Sequence, residues 1–247
     1  MLKLMKYEFR KEMFSKLLLL GITGIMELIF LAGVFWEKSN ALGGGIAGLS
    51  VCAVVGIMYI GIESILTFHK DLNTKQSYML FMTPNSSYKI LGAKVLENGI
   101  AILAAGLFFA ALAAIDVSVA VLYIGGLEQF LNMLKDVMME LQISITMDGK
   151  LIFILFLTLL VFWMMTIATA YLAIVLSATV LSGKKFSGFV SFLIFCVLNG
   201  VYGRLTALLP DLSDVYVKFT LIIGLNLCMV IIMYVITAWI MDKKLSV

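Results

Sequence analysis

The sequence predicts an all-α integral membrane protein. Six transmembrane helices follow an amphipathic N-terminal helix lying at the membrane interface, and a short cytoplasmic helix sits between spans two and three. Three observations predict this. Hydrophobic residues make up 62% of the chain, charged ones only 13%, and mean hydropathy is +1.09; a soluble domain is about half apolar and about a quarter charged. The apolar residues fall into six continuous runs, each near or above the ~20 residues that a helix needs to cross hydrocarbon. None of the runs breaks into the alternating strands of about 10 residues that a membrane β-barrel would show.

In chain order, the first 16 residues, MLKLMKYEFRKEMFSK, place Leu2, Met5, Phe9 and Met13 on one helical face, with Lys3, Lys6, Arg10 and Lys11 on the others. This pattern suits a helix in the headgroup plane with its cations toward anionic lipid. It serves either as a membrane-entry anchor or as a lever meeting a cytoplasmic partner. The spans are then expected at Leu17–Trp36, Ile46–Phe68, Tyr88–Ile115, Leu151–Leu181, Gly188–Leu209 and Lys218–Ile240. The first run is too long for the apolar core of a signal peptide. Residues 116–150 form the one sizeable outside segment. Within it, Leu127, Leu131, Leu134, Val137, Met138 and Leu141 make an apolar helical stripe. That helix is expected to lie on the outer leaflet or cap the bundle, with a gate or substrate-handling surface as the alternative. The whole chain, 1–247, reads as a single membrane domain.

Positive charge sets the orientation. The two termini and the loops after spans two and four hold 13 of the 18 Lys and Arg residues, against 5 on or near the other side. Both termini and the 69–87 loop are therefore expected in the cytoplasm, with the chain in the plasma membrane. The net charge of +3 reflects this topology and gives no reason to invoke nucleic acid. Cys52, Cys196 and Cys228 all lie in spans, which suggests neither a disulfide nor a thiolate metal site.

A search for catalytic chemistry returns nothing. There is no HExxH zinc motif and no GxSxG nucleophile elbow. In LSGKKFSG, Gly183-Lys184 is preceded by Ala178 where a phosphate-binding loop needs its first glycine. The lone histidine, His69, stands at the end of a span as an interfacial hydrogen-bonder. No catalytic residue, metal ligand or cofactor site is expected in the chain, so any energy must come from a partner or an ion gradient.

Charge inside the spans is the remaining clue, because such groups are costly in lipid and face protein or water. Glu63 and Glu97 are expected roughly 8 and 13 Å from the cytoplasmic end of their spans, at about 1.5 Å per residue. Both could line one inner vestibule, with Lys94 on the face of Glu97. Glu27 lies near mid-bilayer. Arg204 should snorkel outward, with Glu27 as an alternative partner. In span three, Gly99, Ala101, Ala105, Gly106, Ala110, Ala113 and Ala114 are expected to allow close packing within the bundle or across a dimer.

The stretch KDLNTKQSYMLFMTPNSSYKILGAK, from Lys70 to Lys94, is the polar exception. Asp71 or Asn73 can cap a short helix running to about Met82, anchored by Tyr78, Leu80 and Phe81. Pro84-Asn85-Ser86-Ser87 then makes a turn. A basic interfacial helix, two spans, Met82-Thr83-Pro84, Ser87 and Ile90-Leu91-Gly92-Ala93-Lys94 together resemble a type-2 permease of the ATP-binding-cassette (ABC) transporters, and the likeness covers the six-span layout. It implies that the 70–94 region is a coupling helix docking on a separate cytoplasmic ATPase, with Asp71, Leu72, Asn73, Thr74, Lys75, Gln76, Tyr78 and Met79 at the contact. Thr83, Pro84, Ser87, Gly92 and Lys94 would belong to the family-like loop motif.

The resemblance further implies two permeases, identical or different, with two ATPases that bind ATP and magnesium. Together they would export peptides, lipids, polysaccharides or drugs, antimicrobial peptides among them. One departure is that the family's larger outside element lies between spans five and six, whereas Pro210–Val217 is short. The alternatives are an ion-coupled carrier using Glu63 or Glu97, and a non-transporting membrane immunity or binding protein.

Overall fold

A computed structural model describes residues 2–36, 39–73, 86–124, 126, 149–180, 186–210 and 214–245. Among them every regular element is helical: α1 (Leu2–Lys11), α2 (Met13–Phe35), α3 (Ser39–Asn73), α4 (Ser87–Ile124), α5 (Gly149–Val180), α6 (Ser187–Ala207) and α7 (Val215–Ile240), the last running into a π-helical turn at Met241–Leu245. The six helices from α2 to α7 are each long and apolar enough to cross a membrane. At most 28% of any of their most apolar windows is buried in the protein. Surface of that length and polarity is stable only against lipid, so the chain is a multi-pass membrane protein.

Helix boundaries depart from the sequence expectation in four places, one of them the start of α3 at Ser39, seven residues before the expected Ile46. The N-terminal helix stops at Lys11, and α2 begins at Met13, before the expected Leu17. Helix α3 runs on to Asn73, so Asp71 and Leu72 are its last turn and do not begin a separate helix. Aspartate at a helix C-terminus opposes the helix dipole; here an ion pair, described below, offsets that cost. Helix α4 continues to Ile124, which places Asp116 inside a helix and not at the start of the outside segment. The amphipathic stripe expected over 127–141 lies outside the described residues.

The chain divides into two compact units. One contains 1–10, 61–100 and 148–247, and the other 11–60 and 101–147, so α3 and α4 contribute to both. The first unit is built around α5. Met165, Ile167, Ala168, Tyr171, Leu172, Ala173, Ile174 and Val175 are all buried, so this stretch of the helix is covered on every side. At the end bearing the chain termini, the Ser177 hydroxyl donates to the Ser187 carbonyl at 2.7 Å, closing α5 onto α6. Tyr234 of α7 donates to the Tyr88 carbonyl of α4 at 2.8 Å. Asp214 caps α7, accepting from the Tyr216 amide at 2.9 Å.

In the second unit, Phe30, Val34 and Ala120 form a small core with Leu31, Leu49 and Val119 around it. Phe35 of α2 meets the ring of Tyr123 of α4 edge-on at 5.1 Å. Helices α2 and α3 approach through glycine. A β-carbon on Gly45 would fall 2.5 Å from the Phe30 α-carbon, and one on Gly56 2.8 Å from Leu19. In this unit the close helix approaches are made by glycines of α3. Ala101 in α4 is buried, but Ala110, Ala113 and Ala114 are exposed.

Gly45 and its neighbour Gly44 make a matched test. No atom lies within 4 Å of a β-carbon at Gly44. Gly45→Ala forces backbone apart and is expected to destabilise by about 1–3 kcal/mol. Gly44→Ala should be neutral or stabilise by about 0.5–1 kcal/mol through helix propensity. Thermal unfolding in detergent compares the two; equal effects would contradict the backbone contact.

Candidate functional site

The strongest constellation of charge in the first unit centres on Lys94. Lysine seven residues into an apolar helix is costly in lipid unless it is paired. Its ammonium lies 2.8 Å from a Glu8 carboxylate oxygen of α1 and 2.7 Å from one of Asp71 at the end of α3. All three side chains are buried, with exposures of 3%, 6% and 4%. The ammonium also sits 5.9 Å over the ring of Phe68, close to the limit of a useful cation–π contact. Phe68 stacks at 4.4 Å on Tyr171, whose hydroxyl bonds Ser64. One cation thereby ties α1, α3 and α4 together, and an aromatic and hydroxyl chain carries the packing on to α5.

The cluster sits at the root of the 74–85 loop. Asp71 stands three residues before the loop and Lys94 in the third turn of the helix that follows it. Ser87, the first residue of α4, is buried and its hydroxyl lies 3.4 Å from an Asp242 carboxylate oxygen beyond α7. Both roots of the loop are therefore fixed by side chains. Gly92, on the same buried stretch of α4, is covered as well.

The sequence-predicted residues divide among several places. Asp71, Leu72, Ser87, Gly92 and Lys94 are buried around the loop roots. Asp71 and Leu72, expected to touch an ATPase, are turned inward, because the carboxylate follows the ammonium and the leucine joins the core. Asn73 ends α3. Thr74, Lys75, Gln76, Tyr78, Met79, Thr83 and Pro84 lie outside the described residues. Glu97 is buried with 3% exposure, one turn further into α4. Glu63 is half-buried on α3, and Arg204 is exposed in the last turn of α6. In the second unit the carboxyl of Glu27 lies beside that of Asp116 on α4.

Several functional positions escaped the sequence reading. Glu8 and Glu12 are the buried face of the N-terminal segment, with 6% and 3% exposure, while Lys6, Arg10 and Lys11 are exposed. Phe9 and Met13 also lie outside the packed face. The available signal was that these two are the acids in a segment whose other charges are all cations. Asn98 and Asn226, both with 0% exposure, are the other omission. Among the described residues, no three His, Cys, Asp or Glu side chains gather as a metal site would require.

Chemically, the Lys94 cluster is a clamp and offers no reactive group. Lys94→Met would leave two carboxylates buried without their counter-ion and is expected to destabilise by about 3–5 kcal/mol. Combining it with Glu8→Gln and Asp71→Asn should recover most of that loss, since the charges then vanish together. Unfolding in detergent, read for the single and triple variants, checks both; a harmless single variant would contradict the clamp.

No family model, no curated protein and no solved structure matches this chain.

Proposed function

We propose that this chain is the membrane-spanning permease of an ATP-driven exporter, powered by a separate ATPase that docks on the cytoplasmic 74–85 loop. The observation that carries the reading is the pair of clamped loop roots: Asp71 and Lys94 bond each other at 2.7 Å, and Glu8 joins them at 2.8 Å. A loop that only linked two spans would gain little from a buried ion triad at its base. A loop that receives mechanical work needs stiff roots, so that its displacement passes into helices and is not lost in local bending.

In this reading α1, α3 and α4 move as one piece at the cytoplasmic end. Closure of two ATPases on bound ATP and magnesium would push the loop, and the clamp would carry that push into spans two and three. Glu63 and Glu97 are the charged groups a cavity in the first unit would present. The arrangement of six spans and the resemblance of Met82-Thr83-Pro84 to Lys94 to the type-2 permeases support the same conclusion. A second permease, identical or different, completes the transporter, and the chain resides in the plasma membrane with both termini in the cytoplasm.

The test is gentle purification of the tagged chain from its own membrane, with its companions identified by mass spectrometry. A soluble ATPase in stoichiometric amount is expected, and Thr74→Trp with Lys75→Glu should release it while the chain stays inserted. A chain that purifies alone from preparations in which other membrane complexes survive would sink the proposal. Proton flux abolished by Glu97→Gln would replace it with an ion-coupled carrier.

A further inference from the structure

The middle of the first unit holds a layer of polar groups that the protein itself does not satisfy. Its level is fixed by contacts to one place on α5. A β-carbon on Gly61 would fall 2.7 Å from the Trp163 indole nitrogen, and one on Gly99 3.4 Å from Met164. The rings of Phe162 and Tyr202 lie 6.3 Å apart. The Tyr202 hydroxyl donates to the Asn226 side-chain oxygen at 2.6 Å. Asn98 is one residue from Gly99 and Glu63 two from Gly61, so at about 1.5 Å of rise per residue both stand within a turn of Trp163. Helices α3, α4, α5, α6 and α7 thus each contribute at least one polar side chain near the same depth, halfway along α5, with Glu97 next to Asn98 on α4.

Within this layer Asn98 is fully buried, and neither its amide nitrogen nor its oxygen has a hydrogen-bond partner. The amide nitrogen of the equally buried Asn226, the indole nitrogen of Trp163 and one oxygen of Glu63 are buried and unpartnered too. Unsatisfied amides inside a membrane bundle are costly. Leucine has the branched skeleton of asparagine, with two methyl groups in place of the amide oxygen and nitrogen, and at position 98 would carry no unsatisfied polar atom. Side chains that oppose folding in this way are expected where something outside the chain completes their hydrogen bonds.

We propose that this layer is a binding site for an amide-bearing, neutral or singly cationic molecule, a short peptide being the class that fits. A carboxamide both donates and accepts, as a peptide group does, so Asn98 and the free nitrogen of Asn226 match a peptide backbone. The indole adds a donor. The two ionisable acids of the layer, Glu63 and the buried Glu97 beside Asn98, favour a cationic group and disfavour an anion. An acyl chain would leave every one of these atoms as it is. The site lies at the depth where transporters hold their cargo. As a statement of what is carried it rests on the permease reading above.

The binding test uses the chain alone in lipid nanodiscs, without ATPase or ATP, so failure to recruit a partner would not disturb it. Trp36→Phe and Trp239→Phe leave Trp163 as the single tryptophan reporter. The probes are acetylated, amidated Ala-Lys-Ala and its Ala-Glu-Ala counterpart. A saturable change in Trp163 emission is expected with the lysine peptide, and a weaker one with the glutamate peptide. Asn98→Leu should raise Tm and weaken binding about tenfold, the cost of one good hydrogen bond; Asn226→Leu should weaken binding as much but lower Tm, because it strips the Tyr202 hydroxyl of its acceptor. Should Asn98→Leu fail to insert, Glu63→Gln carries the test by reducing the preference for lysine, and Glu63→Gln with Glu97→Gln by erasing it. An emission change that does not saturate, equal response to both peptides, or binding indifferent to both asparagine variants would overturn the site and leave water as the occupant. Peptide binding with no ATPase in the purified complex would overturn the permease reading and keep the site.

Discussion

An ammonium group buried between apolar helices is tolerable only when its charge is met at contact distance, and the terminal end of the first unit is arranged around that requirement. The Lys94 nitrogen needs acceptors, so the last turn of α3 keeps its aspartate despite the helix dipole, and the N-terminal helix turns its glutamate inward. Phe68 and Tyr171 fill the space below. Replacing such a triad by apolar residues often costs nothing in stability. What an ionic clamp adds over a greasy contact is direction: the partners can meet in few ways, so three helices are held in one register.

The same preference for directed contacts explains the hydroxyls in the spans. Thr23, Ser50, Ser118, Thr158, Thr166, Thr169, Thr220 and Thr237 each donate to the carbonyl four residues earlier. These bonds satisfy the side chain within its own helix, so serine and threonine in the spans are cheap and say little about a pathway. Asparagine reaches further and has more atoms to satisfy. Asn199 solves the problem locally by donating to the Phe195 carbonyl, which sets Asn98 apart as the amide without such an outlet.

The six spans were legible because apolar length is a property of sequence alone, and most ends shifted by only a few residues. The largest shifts, nine residues at the end of α4 and seven at the start of α3, extend helix beyond the apolar run. Asp71 reads as a helix start because aspartate favours N-termini; the ion pair with a lysine 23 residues later reverses that preference. Lys94 itself stood out in the sequence, whereas Glu8 did not, since a count of cations and apolar faces has no place for a buried acid. The alanine and glycine run of span three drew notice as a likeness of composition. The true close approaches, at Gly45, Gly56 and Gly61, depend on which helices become neighbours. Asn98 and Asn226 were legible in principle, as amides inside apolar runs, but a search ranked by formal charge passes over them.

The Lys94 clamp also imposes an order on synthesis. Ribosomes deliver Glu8 first, Asp71 next and Lys94 last. Until the third span emerges, both carboxylates are without their counter-ion and the N-terminal helix has no fixed seat. Closing the shorter of the two chain segments costs less entropy, so Asp71 is the readier partner and Glu8 the later one. Of the three helices in the clamp, the earliest made is accordingly the last to be locked, and its docking reports that the third span has been correctly inserted.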